Sequence, residues 1–361
     1  MARTDEVRTK LASVRALLES AGLDAIVLRT TANAAWLSAG GRTHVLAAQD
    51  VGLADLVVTP DAVRIVTTVN EVDRLLEEEL GDLDAEVDVL PWHGNRRAVL
   101  PTGPRVGWDA VEPDLDAVDV GADVRRLRRR LLAPEVQRAR ALGADAAAAV
   151  TSVAVLLEPE WREYAVAGAV AGELLARAVD PVVLLVAGAD RLPVHRHPLP
   201  TDAVFGDLGM VVVCGRRDGL IVSLTRMVSF GGLDDASAAA FRRLLEVDVA
   251  FNSATRPEAT VGAAFTAGTS AYAAHGFAAD EWVRHHQGGP AGYQPRDEVA
   301  TAASRTVIGG DELFAWNPSV PGLKSEDTVL TSDAGVEIIT SDGEWPVTTV
   351  AGLPRPLVLE R

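Results

Sequence analysis

His286-Gln287-Gly288-Gly289-Pro290-Ala291-Gly292-Tyr293 and, downstream, Trp316-Asn317-Pro318-Ser319 followed by Lys324-Ser325-Glu326-Asp327 are the stretches on which the reading of this chain turns. Apolar and β-branched runs surround the second one, and they predict strands over Glu312 to Trp316, Asp327 to Thr331 and Val336 to Thr340. Gly288 and Gly289 suit a turn, a positive φ or a close backbone approach. Asn317, Ser319 and Glu326 put hydrogen-bonding groups beside these strands, next to an aromatic, Trp316.

Working outward, helix-period and strand-period segments alternate. Val7 to Ser20 has helical spacing and stops at Gly22, and Asp24 to Leu28 reads as a buried strand. Leu56-Val57-Val58 and Val63 to Val66 flank Pro60-Asp61 as a hairpin; a helix is predicted over Val69 to Leu80, with strands at Val87 to Leu90 and Arg105 to Trp108. These elements predict an α/β first domain over residues 1–125. In residues 126–361, helices are predicted from Pro134 to about Leu157 and from about Trp161 to Ala178. A strand at Val182 to Val186 precedes strands at Met210 to Cys214 and Leu220 to Val228, which are joined by Gly215 to Gly219. Further helices are predicted over Asp235 to Val247 and Val261 to Ala274. The fold class is α+β, with helices on one face of a curved, mostly antiparallel sheet.

A chain of 361 residues accommodates two such domains. The formal net charge of −17 argues against nucleic acid or an anionic membrane as partner. The basic run Arg125 to Arg130 reads as a solvated linker or helix face. Apolar runs are of strand length, and no apolar signal core follows Met1-Ala2-Arg3, so the expected location is cytoplasmic. The single cysteine, Cys214, excludes an internal disulfide framework and any multi-cysteine zinc site; it lies in a predicted strand and reads as a buried apolar residue. Lysine is nearly absent, occurring only as Lys10 and Lys324.

Five phrases in order resemble the pita-bread metallopeptidases, in particular the branch of aminopeptidase P, prolidase and creatinase. They are Asn33 to Gly40; Leu127 to Arg138; Asp207-Leu208-Gly209-Met210 with Leu224-Thr225-Arg226; the glycine phrase from His286; and Glu326-Asp327-Thr328-Val329-Leu330 with Gly335-Val336-Glu337. The resemblance covers nearly the whole chain. It implies a creatinase/prolidase-like N-terminal domain, a pita-bread C-terminal domain and a homodimer with one subunit's first domain near its partner's cleft. It also implies a small-molecule or short-peptide substrate.

Metal-dependent relatives hold two ions with two Asp, one His and two Glu. Those positions fall here at Val213, Ser223, Gly289, Asn317 and Glu326. Only Glu326 is a ligand type, and one carboxylate does not hold a dinuclear cluster. The expectation is therefore no metal cofactor, with Mn, Co or Zn only if the positions are misaligned; Asp218, Asp297 and Glu298 are the substitute ligands to check. By resemblance to the metal-free creatinase, His197 in His195-Arg196-His197-Pro198 is the acid/base, a role imidazole suits near neutrality. Glu326 is expected to orient it and Asn317 to donate to a developing oxyanion. His285, Arg296, Arg226, Tyr293 and Ser223 are the expected substrate contacts, the arginines favouring a carboxylate. The expected activity is metal-independent hydrolysis of a small amide, amidine or peptide-like C–N bond. The alternatives are a non-catalytic binding module and an ordinary Xaa-Pro metallo-aminopeptidase.

Overall fold

Helix α1, Arg3–Ala21, ends where Gly22 turns left-handed at φ 65, and its N–H bonds back to Glu19 and Leu18 carbonyls. That is the stop the sequence announces, because glycine enters this region without a Cβ penalty. The computed structural model describes residues 2–361, which divide into two compact units: residues 2–135 with Asp218–Leu220, and Val136–Arg217 with Ile221–Arg361.

The first unit is built on one mixed sheet. Its strands are β1 (Ala25–Thr30), β2 (Val51–Val58), β3 (Val63–Thr68), β4 (Glu86–Leu90), β5 (Val106–Trp108) and β6 (Val118–Asp119), ordered β4-β3-β2-β1-β5-β6. β1, β2 and β3 pair antiparallel, while β4, β5 and β6 add in parallel. Helix α2, Thr31–Leu37, is not foreseen as a helix by the sequence reading. Its start is tied by Asp109, whose carboxylate accepts from Thr30 N, Thr30 Oγ1 and Asn33 Nδ2 at 2.7–3.1 Å. The helix predicted over Val69 to Leu80 runs from Val72 to Glu79, and its second part, Leu75–Glu79, is a wide π-turn. Only Val72–Arg74 is α-helical, and Leu80 N bonds Leu75 O five residues back. Residue 125 lies inside helix α3, Gly121–Arg129.

Helix α4, Ala133–Ala154, leads into the second unit, followed by α5 (Glu163–Ala176) and β7 (Asp180–Ala187). β8 (Leu208–Arg217) and β9 (Leu220–Ser229) are longer than predicted. Only Asp218 and Gly219 turn between them, at φ 51 and 76, the conformation that favours Asp-Gly in tight hairpins. Helices α6 (Asp235–Ala254) and α7 (Val261–Ala274) come next. A second antiparallel sheet has the order β10 (Gly288–Ala291), β11 (Leu313–Trp316), β14 (Asp327–Ser332), β15 (Gly335–Ile338). Between β11 and β14 the chain makes a small hairpin, β12 (Ser319–Val320) with β13 (Leu323–Lys324). After β15 come β16 (Val347–Val350) and β17 (Leu353–Pro356), which pair with each other, and β18 (Leu359–Glu360), which adds in parallel to β9. The fold class is the expected α+β.

The core of this unit joins both sheets to α6 and α7 through residues such as Met210, Val212, Leu244, Phe251, Phe265, Phe314 and Trp316. Trp316 stacks on Phe251 with ring centroids 4.8 Å apart, and its indole N–H bonds Thr255 Oγ1 at 2.8 Å. It is a core residue, not a pocket wall.

The two sheets meet at one bridge that matters for function. Thr225 N of β9 donates to Glu326 O at 3.0 Å, just before β14 begins.

Candidate functional site

Residues 324–327 alternate in direction as an extended chain requires. Ser325 and Asp327 point into a buried charge network. Asp327 lies between Arg226 (3.0 Å) and Arg355 (2.9 Å), and Arg355 continues to Asp248 at 2.5 Å. Ser325 Oγ also bonds Asp248. Lys324 and Glu326 point the other way. Every member of the network is at most 4% exposed, so it fixes the backbone that presents Glu326.

Glu326 is itself buried, and its carboxylate is fully engaged. Oε1 receives Arg296 Nη2 at 2.7 Å; Oε2 receives Lys324 Nζ at 2.7 Å and Thr225 Oγ1 at 2.8 Å. Burial alone would raise its pKa. The charges of Lys324 and Arg296, with hydrogen bonds from Lys324 and Thr225, overcome that and bring it to about 2. One carboxylate faces two cations, so the trio holds one surplus positive charge. Arg296 Nη1 also donates to Ser223 Oγ (3.2 Å) and to the Pro295 carbonyl (2.5 Å). Ser223 in turn contacts Cys214 Sγ at 3.2 Å and is locked to Thr328 through its backbone. Cys214 is buried, and burial raises its thiol pKa, as a structural cysteine requires.

Three imidazoles form the other half of the site. His285 Nε2 lies 2.8 Å from His197 Nε2, and His286 stacks obliquely against both rings at 4.6 and 5.4 Å. His285 is buried, whereas His197 and His286 reach solvent. Gln287 holds the His285 carbonyl at 2.6 Å and is fixed by Tyr272 OH at 2.8 Å, which also receives Ser319 N at 3.0 Å. Nδ1 of His285 has no partner among the described residues. All three rings favour the neutral form. Burial followed by the Lys324 charge lowers His197; burial, Lys324 and the neighbouring histidines bring His285 to about 2. Burial, Arg296 and His197 bring His286 to about 4.

The structure thus gathers His197, His285, Arg296, Ser223 and Glu326, all named from sequence. Asn317 is buried; its N–H bonds Gln287 O at 3.1 Å, and its Oδ1 lacks a partner among the described residues. Tyr293 is buried just past β10. Arg226 is not among the gathered groups. Its terminal nitrogens serve Asp327, the Thr225 carbonyl and the Thr340 carbonyl, and its guanidinium lies 5.7 Å from the Trp345 ring. The sequence reading missed Lys324 and His286. Lys324 was signalled by lying two residues before Glu326, the spacing that puts both on one side of an extended chain; His286 was signalled by its place next to His285.

The donor set does not fit the two-ion centre that the resemblance implies. The five positions that the resemblance assigns to ligands carry a buried valine, a serine, a glycine, an asparagine and a glutamate whose oxygens already receive an ammonium and a guanidinium. Gly289 has no room for a ligand side chain. Its φ is +147, and a Cβ there would lie 2.4 Å from Glu298 O. Gly288 is as confined: a Cβ at φ +102 would lie 2.0 Å from Ala315 O. Among the described residues, neither Asp218, Asp297 nor Glu298 belongs to a group of three or more ligand-type side chains close enough to hold a metal. Among the described residues the one group of three or more His, Cys, Asp or Glu close enough for a metal is His197, His285 and His286.

No family model matches this chain, and no curated protein sequence matches it. Solved structures do, and they show the fold, which is the pita-bread fold shared with prolidases and X-Pro aminopeptidases. Dipeptidase PepE from Mycobacterium ulcerans superposes with TM-score 0.79 at 21% identity, covering 99% of this chain and 98% of its own. The prolidase from Pyrococcus horikoshii OT3 gives 0.78 at 14% identity, over 92% and 98%. The N-terminal domain of the FACT complex subunit SPT16 from chickpea gives 0.71 at 14%, over 94% and 97%. Among the described residues no helix is long and apolar enough to cross a membrane.

Proposed function

We propose that this protein is a metal-independent hydrolase of a small amide, amidine or peptide-like C–N bond, with His197 as acid/base. The observation that carries the proposal is the double pairing of Glu326 with Lys324 and Arg296 at 2.7 Å each, which puts two protein cations beside the one carboxylate left from the ligand set. Two fixed positive charges offer electrostatic stabilisation to an anionic group in a partly dry site. The surplus charge favours a substrate carboxylate, held by Arg296 or Lys324.

His197 is neutral near pH 7 and open to solvent. In the tautomer where its Nε2–H donates to His285 Nε2, its Nδ1 lone pair is free to take a proton from water or substrate. Protonation then makes the His197–His285 bond charge-assisted, which steadies the imidazolium until the proton passes to the leaving nitrogen. His285 is a positioning residue in this scheme. Glu326 holds the two cations rather than His197, and the Asn317 amide is the proposed donor to the oxyanion. Partners are a small-molecule or short-peptide substrate and a second copy of the chain, with neither nucleic acid nor membrane; the location is cytoplasmic.

The test is turnover of a panel of dipeptides and small amides by chelator-treated protein, compared with His197→Ala. The reading requires turnover in the wild type and a loss of about a hundredfold or more in the variant, the usual worth of a general acid/base.

A second reading is a non-catalytic module that binds a peptide or metabolite. It draws on the full engagement of the Glu326 carboxylate and on the likeness to a domain whose name is that of a complex subunit, not a peptidase. It requires ligand binding without product, undiminished in His197→Ala.

A further inference from the structure

We propose that His197, His285 and His286 form a mononuclear site for a borderline divalent ion of the zinc and copper class, separate from the two-ion position of the similar peptidases. Occupancy would switch the protein off by engaging His197; that consequence rests on the proposed role of His197, whereas the binding itself does not.

The geometry points to it. One nitrogen from each ring lies within 4.8 Å of those of the other two. A tetrahedral zinc with Zn–N bonds of about 2.0–2.1 Å places its nitrogens roughly 3.4 Å apart. The His197–His285 pair, at 2.8 Å, is slightly inside that separation, and nitrogens at the outer limit of 4.8 Å would close by about 1.4 Å around the ion. His285 is the fixed point, buried and anchored through Gln287 and Tyr272. His197 and His286 reach solvent, so they have freedom to adjust and leave an entry path and an open fourth position. Three imidazoles with an open position are a ligand set for zinc, copper, nickel or cobalt.

The charges nearby set the selectivity. Lys324 and Arg296 oppose a cation, although both are paired with Glu326. Ions that depend on carboxylate oxygens, such as Mn, Mg and Ca, therefore gain nothing here, while ions with strong imidazole preference do. This is the reverse of the selectivity expected of a carboxylate-rich two-ion centre.

The experiment uses the full chain without a histidine tag, stripped by chelator and dialysed. Cobalt(II) is titrated in and its visible absorption read, with competition by zinc and by manganese. The expected result is saturation at one equivalent, displacement by zinc but not by manganese, and at least tenfold weaker binding in both His286→Ala and His285→Asn. His286 is exposed, so its variant tests the site with little burden on folding; thermal unfolding checks both. No saturable one-equivalent binding, preference for manganese, or unchanged affinity in the folded His286→Ala variant overturns the proposal. A cobalt site in a protein that turns over nothing leaves this inference standing and removes the hydrolase reading. Chelator-resistant turnover without a cobalt site does the opposite.

Discussion

Lys324 Nζ lies 2.7 Å from Glu326 Oε2, both side chains at most 4% exposed, on the same side of an extended segment between β13 and β14 that turns Ser325 and Asp327 the other way. With Arg296 on the second oxygen, the glutamate is a buried anion between two cations. Burying any one of these charges alone costs several kcal/mol. The arrangement therefore makes Glu326 a structural keystone as well as part of the site.

Glu326→Gln leaves two buried cations without their counter-charge. Such removal of one partner typically costs about 3–5 kcal/mol. We expect a clear fall in the urea midpoint of the second unit's transition, and a partial recovery in the double variant Glu326→Gln with Lys324→Met. Equal midpoints for Glu326→Gln and wild type would show that the trio is not energetically coupled.

Acid should destabilise the protein in two windows. The histidines bind protons more weakly folded than unfolded, so the unfolded chain gains protons first as pH drops below the ordinary 6.5. Their contribution is present above 6.5 and is lost as pH falls toward 4 and 2, with buried His285 counting most. Glu326, lowered from 4.5 to about 2, adds stability above 4.5 that is lost as pH falls through 2. Urea midpoints measured from pH 8 to 4 should decline, and His285→Asn should flatten the first window.

How much of this was legible in the sequence depends on distance along the chain. The α+β class and most elements follow from local periodicity, and Gly22 and Asp218-Gly219 sit where their turns demand. His197, His285, Arg296, Ser223 and Glu326 came from resemblance, and the fold does gather them. What stayed hidden is pairing. Nothing local says that Arg296 reaches Glu326, or that Arg226 is held by Asp327 and Thr340 rather than facing a ligand. The phrase at Gly288-Gly289 reads as a turn but is a strand edge, because positive φ lets it pair closely with Trp316 and Ala315. The helix predicted at Val69 to Leu80 is present in shortened form from Val72 to Glu79, its second part widened by a five-residue hydrogen bond.

Gly289→Ala tests that backbone. Forcing a side chain into such a conformation costs about 1–3 kcal/mol before any clash. A Cβ 2.4 Å from Glu298 O adds to it. We expect a markedly lower Tm and no gain of manganese binding in Gly289→His; a fully stable Gly289→His would contradict the geometry.

The pH profile of turnover should report His197. Its pKa is lowered by burial and by Lys324, so the acid limb of kcat/KM should fall below pH 6.5. In Lys324→Met that limb should move upward, because the charge opposing the imidazolium is gone. An unmoved limb would assign it to another group.

The central claim is that hydrolysis here runs on His197 rather than on a metal centre. Its most direct measurement is steady-state turnover of the dipeptide and amide panel after exhaustive chelation, with wild type and His197→Ala side by side. The account predicts full turnover in the chelated wild type and at least a hundredfold less in the variant. Turnover that vanishes on chelation and returns with added Mn, Co or Zn would contradict it.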